Sequence, residues 1–206
     1  MARPLPTSPP RVTVFDTPVL RSVLRLVGVT LLWVKRWKTS VRLPDTPSWV
    51  VMLAPHTSFW DFPIWIALAL KHRIKANWFG KHTLFRGPFR YLFRWLGGIP
   101  VNPSEGGNGR VAGVVAMFGQ YPHLRIGIAP EAGLSPVTAW RTGFYHIANG
   151  AQVPILMAYA DYGKRVAGAD EWFVPTGDMA ADFAIIREFY ATKHPKYPER
   201  FALPEV

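Results

Sequence analysis

The chain has 206 residues, 49% of them hydrophobic, which is enough for one core and short of two independent domains. A formal net charge of +11 draws anionic partners and leaves nucleic acid, anionic lipid and acidic substrates as the classes to weigh. There is no cysteine, so disulfides and thiolate metal sites are excluded and the chain is compatible with a reducing compartment.

Met1 to Pro10 carries prolines and a single arginine with no apolar central run, which predicts a disordered lead-in over residues 1–15 rather than a signal peptide. Pro18 to Arg42 reads as the first helix, within a unit spanning residues 16–42. Val19, Leu20, Val23, Leu24, Val27, Leu31, Val34 and Trp37 keep a rough three-to-four spacing, and Arg21, Arg25, Lys35, Arg36 and Lys38 add charge. Such a helix can lie at an anionic membrane interface or pack on a core with a solvated basic end. No segment approaches the roughly 20 consecutive apolar residues that span a bilayer. Leu26 to Val34 is closed off by Arg25 and Lys35, and Thr142 to Ala160 contains His146, Asn149, Gln152 and Pro154.

From residue 43 to 206 the pattern alternates. Leu43 to Pro47 breaks the chain, and Ser48 to Leu53 is an apolar run of buried-strand length. A polar loop follows, Ala54-Pro55-His56-Thr57-Ser58-Phe59-Trp60-Asp61, and then a helix over about Phe62 to Lys71. Pro63 is tolerated if Asp61 sits at or near the helix cap, because the first turn needs no backbone N–H there. Further strands are expected at Ile74–Phe79, Ile99–Val101, Arg125–Ile128, Val153–Ala160 and, weakly, Glu171–Val174. Helices are expected at Pro88–Leu96, Arg110–Gln120, Thr138–Asn149 and Asp178–Lys193, with Asn102–Asn108 as a mobile loop. Strands alternating with helices over one domain predict an α/β sandwich around a mixed central sheet.

The chemistry concentrates at His56 and Asp61, which have four residues between them and directly follow a predicted strand. A hydroxyl is a poor nucleophile at neutral pH, so transfer of an acyl group to it needs a base, and imidazole suits that role. A carboxylate on the other ring nitrogen fixes the tautomer and stabilises the imidazolium as it forms. His72, His82, His123, His146 and His194 lack metal-ligand spacing and read as surface or core histidines. No metal is expected. The aromatic run from Trp60 through Trp95 packs a core or lines a groove for an acyl chain.

Taken in order, His56-x4-Asp61, Gly98-Ile99-Pro100-Val101-Asn102, Ala129-Pro130-Glu131-Ala132-Gly133-Leu134-Ser135 and Val153-Pro154-Ile155 resemble the four blocks of the glycerolipid acyltransferase family, which includes lysophosphatidic acid acyltransferases. The resemblance runs from about Val50 to Ala160. It implies an α/β acyltransferase fold, acyl-CoA or acyl-carrier protein as donor with no further cofactor, and direct transfer to a glycerolipid hydroxyl without a covalent acyl-enzyme. It makes His56 the base, with Asp61 and Glu131 competing to orient it. It places Glu131 in the acceptor site, and Gly133 and Ser135 beside it are expected to bind substrate.

Two departures bear on the acceptor. The second block lacks the arginine that usually follows its Gly-Ile core, and Ala132, Gly133 and Leu134 stand where the third block usually has glycine, threonine and arginine. The phosphate-binding cations implied by the resemblance are therefore sought elsewhere. Lys81 matches a lysine the family often carries between its first two blocks, and Arg141 closely follows the third. The expected partners are the acyl thioester, the glycerolipid and an anionic membrane surface at the cytoplasmic face, with no nucleic acid. A different hydroxyl acceptor, or a lipid-binding relative without catalysis, is the alternative. Phe89 to Trp95 interleaves arginine with aromatic residues as nucleic-acid platforms do, but no recognised nucleic-acid motif accompanies it.

Overall fold

Trp49, Val50, Val51 and Met52 are all buried, and their alternation sends Val50 and Met52 into one hydrophobic layer and Trp49 and Val51 into another. A strand buried on both faces belongs at the centre of a parallel sheet with helices on either side. A computed structural model, which describes residues 8–102, 108–136 and 139–204, shows that arrangement. Among the described residues the strands are β1 (Lys38–Val41), β2 (Trp49–Leu53), β3 (Asn77–Lys81), β4 (Gly98–Val101), β5 (Arg125–Ile128), β6 (Ile155–Asp161) and β7 (Val166–Phe173). The helices are α1 (Pro18–Val34), α2 (Asp61–His72), α3 (Phe89–Trp95), α4 (Asn108–Gln120), α5 (Gly143–Ala151) and α6 (Met179–Ala191).

The seven strands form one sheet in the order β1-β7-β6-β2-β5-β3-β4. The strands β6, β2, β5, β3 and β4 run parallel, whereas β7 is antiparallel to β6 and β1 is parallel to β7. The sheet is thus mixed, as the alternating pattern predicts. On one face Val50, Met52, Ile126, Ile155 and Met157 pack with Val114, Phe118, Phe144, Phe183, Ile186 and Tyr190 from α4, α5 and α6. On the other face Trp49, Val51, Leu156 and the alanines of β6 and β7 meet Leu32 of α1 and Ile64, Ala67 and Leu68 of α2. The two helices approach closely where Gly28 faces Ala67, since a Cβ at Gly28 would lie 3.1 Å from the Ala67 Cα.

Several expectations are corrected. The lead-in is ordered at its end: Val14–Asp16 forms a single 3-10 turn whose Val14 and Phe15 are buried against Leu70, and the Asp16 carboxylate takes the Thr13 backbone N–H. Residues 1–7 lie outside the described residues. The first helix stops at Val34 instead of continuing to Arg42, because Arg36 adopts a left-handed backbone (φ 56°) and Lys38–Val41 turns away to pair with β7. The helix expected over Thr138–Asn149 begins at Gly143, and residues 137–138 lie outside the described residues. Residues 103–107 of the expected mobile loop also lie outside it. Strand β7 is longer than the weak strand expected, since Gly168 leaves room for the Tyr159 ring and Ala167 and Ala169 fill the sheet face.

On α1, only Gly28 and Leu32 are fully buried. Val19, Leu20, Val23, Leu26, Val27, Trp33 and Val34 are each more than 50% exposed, so the helix turns a broad apolar face outward. No helix among the described residues is long and apolar enough to cross a membrane.

Candidate active site

In a parallel sheet the loops leaving the carboxyl ends of the strands gather polar groups at one edge. The loop after β2 delivers His56 there, and the loop after β5 delivers Glu131. The Asp61 carboxylate reaches the His56 loop from the start of α2. His56 Nδ1 is 3.2 Å from Asp61 Oδ2, with the imidazole 20% exposed and the carboxylate fully buried.

Asp61 opens its helix next to the cap position, as the sequence suggests. Trp60 holds the cap position, and the Asp61 carboxylate turns back into the loop. Its Oδ2 accepts the backbone N–H groups of Thr57 (2.9 Å) and Ser58 (2.8 Å), and its Oδ1 accepts the Tyr162 hydroxyl at 2.6 Å. A buried carboxylate needs such partners, because an unpaired buried charge is strongly unfavourable. Pro63, the third residue of α2, falls in the first turn, where its missing N–H has no cost.

Glu131 takes a different part from Asp61. Its Oε1 accepts the backbone N–H of His56 at 2.9 Å, and no hydrogen bond joins it to the imidazole. Asp61 thus meets the ring nitrogen, and Glu131 holds the backbone that carries the ring. Burial pushes the Glu131 carboxyl up to about 7, against the opposing pull of the His56 N–H. Its Oε2 is buried and has no hydrogen-bond partner among the described residues.

The His56 loop is braced from three sides. The Trp65 ring of α2 lies 5.3 Å from the imidazole, centroid to centroid. The segment beyond α6 crosses the loop, with the Tyr197 N–H on Thr57 Oγ1 (3.3 Å) and Arg200 Nη1 on the Thr57 carbonyl (3.4 Å). Tyr162, immediately after β6, donates to Asp61; burial, with that bond, raises the Tyr162 pKa well above its ordinary value of 10.0. Trp65 belongs to the aromatic run noted in the sequence, whereas Tyr162, Tyr197 and Arg200 are not among the residues singled out there. Tyr162 alone carries a usable signal, since it sits at the carboxyl end of the strand beside β2.

The remaining expected site residues are placed more loosely. Lys81 is exposed at the carboxyl end of β3, and Gly133 and Ser135 are exposed in the loop that follows Glu131. No hydrogen bond joins these three to His56, Asp61 or Glu131 among the described residues. The exposed Arg141 is tied beside the third block, its N–H donating to the Pro130 carbonyl at 2.9 Å. Within the described residues no group of three or more His, Asp or Glu side chains is arranged to hold a metal ion.

A second feature adjoins the dyad. Phe62, Trp65, Leu53, Trp78, Gly127 and Leu156 line an apolar cavity of about 80 Å³ between α2 and the sheet. Trp65 is common to this cavity and to the imidazole contact.

The fold is similar to that of a solved structure, the 1-acyl-sn-glycerophosphate (LPA) acyltransferase PlsC from Thermotoga maritima. The likeness covers 79% of this chain and 72% of that chain, with a TM-score of 0.53 and 16% identity. The chain therefore has the α/β acyltransferase fold. No protein-family model matches it, and no curated protein sequence does.

Proposed function

We propose that the protein is a peripheral membrane acyltransferase, moving a fatty acyl group from acyl-CoA or acyl-carrier protein to a hydroxyl of a glycerolipid acceptor such as lysophosphatidic acid. One observation carries the reading: a buried Asp61 carboxylate on His56 Nδ1, at the carboxyl end of the central strand of an acyltransferase fold. With Nδ1–H donating to Asp61, Nε2 is left as the proton acceptor.

The acceptor hydroxyl gives its proton to Nε2 as its oxygen attacks the thioester carbonyl. The resulting imidazolium is stabilised by Asp61, and on collapse it returns the proton to the departing thiolate. Backbone N–H groups near Lys81 or Gly133 stabilise the oxyanion. The apolar cavity beside Trp65 takes part of the acyl chain, and Lys81 and Arg141 hold the acceptor's phosphate. The exposed apolar face of α1, flanked by Arg21, Arg25 and Lys35, supports docking on an anionic membrane at its cytoplasmic face.

The altered third block, with Ala132-Gly133-Leu134, favours a second reading in which the same chemistry serves a different hydroxyl acceptor. The test is an acceptor panel of lysophosphatidic acid, glycerol 3-phosphate and a non-phosphorylated alcohol, offered with a labelled long-chain acyl-CoA on anionic vesicles. Acylation of lysophosphatidic acid, with a KM for it that rises selectively in Lys81→Ala and Arg141→Ala, supports the main reading. Transfer only to another alcohol assigns the second reading, and no transfer from either thioester donor rules out both. Trp33→Glu should reduce co-sedimentation with anionic vesicles while leaving the thermal midpoint unchanged.

A further inference from the structure

On the far side of Asp61 from the imidazole, a cavity of about 520 Å³ opens at the carboxyl edge of the sheet. Three turns build it: the end of α1 leading into β1, the β6–β7 turn, and the segment after α6. The first two are tied together, because the Lys38 N–H donates to the Arg165 carbonyl. Four cations line the cavity, Lys35, Arg36, Arg165 and Lys196, and none of its lining residues is acidic. None of the four forms a salt bridge among the described residues.

Like charges around one hollow repel each other, and among the described residues no carboxylate lines it to offset them. The walls between the cations are aromatic. Trp37 packs edge-on against Tyr162 at 5.0 Å, and Lys196 Nζ lies 5.9 Å from the Trp60 ring centroid. Cations with flat rings, in a hollow of ligand size, are the recognition chemistry of an organic phosphate. We infer that this cavity is a binding site for a phosphate-bearing small molecule, distinct from the Lys81 and Arg141 side of the sheet.

The aromatic walls favour a phosphate that carries a base, which is the nucleotide end of CoA. That assignment of the carrier rests on the acyltransferase reading, whereas the site itself does not. Tyr162 links the two regions, because it lines the cavity and donates to the Asp61 carboxylate that meets His56. An occupied cavity therefore lies one hydrogen bond from the dyad's carboxylate.

Two of the cations can be removed without disturbing the backbone. Arg36 (φ 56°) and Arg165 (φ 53°) hold left-handed conformations that glycine adopts more readily, so Arg36→Gly and Arg165→Gly preserve each turn. Arg73, Ala132 and Gln152 share that conformation away from the cavity, so the backbone angle serves here only to choose the substitution.

The experiment titrates the intact protein, followed by calorimetry and tryptophan fluorescence, with three probes: CoA, 3′-phosphoadenosine 5′-phosphate and glycerol 3-phosphate. The Arg36→Gly/Arg165→Gly variant, checked for an unchanged thermal midpoint, should bind at least about tenfold more weakly and lose part of its salt dependence. Tight binding of the adenosine bisphosphate assigns the site to a nucleotide-bearing donor, and binding of glycerol 3-phosphate alone assigns it to the acceptor. Wild-type protein that binds none of the probes, or a double variant whose affinity stays within about twofold, overturns the site. His56→Ala should bind the probes as the wild type does. Probe binding without acyl transfer would thus leave the site standing and remove the enzymatic reading alone.

Discussion

Among the described residues two His–Asp pairs have the same length, and their surroundings differ. His56 meets Asp61 and His194 meets Asp161, each at 3.2 Å, and both carboxylates are buried. The difference lies around them. The Asp61 carboxylate is also held by two backbone N–H groups and a tyrosine hydroxyl, and the His56 ring is 20% exposed against Trp65. Among the described residues the Asp161 carboxylate has only the Lys164 N–H besides its histidine, whose ring is 61% exposed. The two contacts are alike in length and differ in the shell that fixes the carboxylate and shields the ring from water.

Asp61→Asn should break that difference most severely. The amide oxygen can still accept from the loop N–H groups and the imidazole, but the negative charge that stabilises the imidazolium is gone, so kcat should fall by about 10³-fold, while Asp161→Asn leaves kcat unchanged. Equal effects in steady-state assays would mean that the shell does not distinguish the pairs.

The next effect concerns Glu131, which has no counterpart beside His194. Its carboxyl rises from an ordinary 4.5 to about 7 on burial. Between those values the unfolded chain has released the proton and the folded chain keeps it, so stability falls as pH rises and the full loss, about 3 kcal/mol, is reached above pH 7. Glu131→Gln should remove this slope and gain stability over the wild type at pH 8 but hardly at pH 5. Urea midpoints at the two values check it, and parallel pH trends in the two proteins would refute the buried acid.

Tyr162→Phe removes one donor from the Asp61 carboxylate and should cost about 2 kcal/mol in unfolding free energy with a several-fold loss of kcat. An unchanged kcat would confine the tyrosine to a structural part. Smallest of all, His194→Ala should change stability by no more than about 1 kcal/mol, because its ring is largely solvated. A larger shift in the melting temperature would show that the second pair anchors the segment beyond α6.

Much of the architecture is legible in the sequence because apolar periodicity is local. The runs at Trp49–Leu53 and Arg125–Ile128 announce buried strands, and Asp178 announces a helix start, its side chain accepting the Ala180 and Ala181 N–H groups. The failures come where tertiary pairing overrides a local pattern. Lys38–Val41 continues the spacing of α1, yet pairing with β7 converts it to an edge strand. The dyad is visible because its members lie close in the chain. Tyr162 is separated from Asp61 by 101 positions, and the cations of the cavity come from three separate turns, so neither could be assembled without the fold.

The most direct measurement compares wild type, His56→Ala and His194→Ala in the transfer of a labelled acyl group from acyl-CoA to lysophosphatidic acid on anionic vesicles. The account predicts that transfer falls by about 10³-fold or more in His56→Ala and stays within about twofold of wild type in His194→Ala. Transfer that survives in His56→Ala, or that disappears equally in both variants, would contradict it.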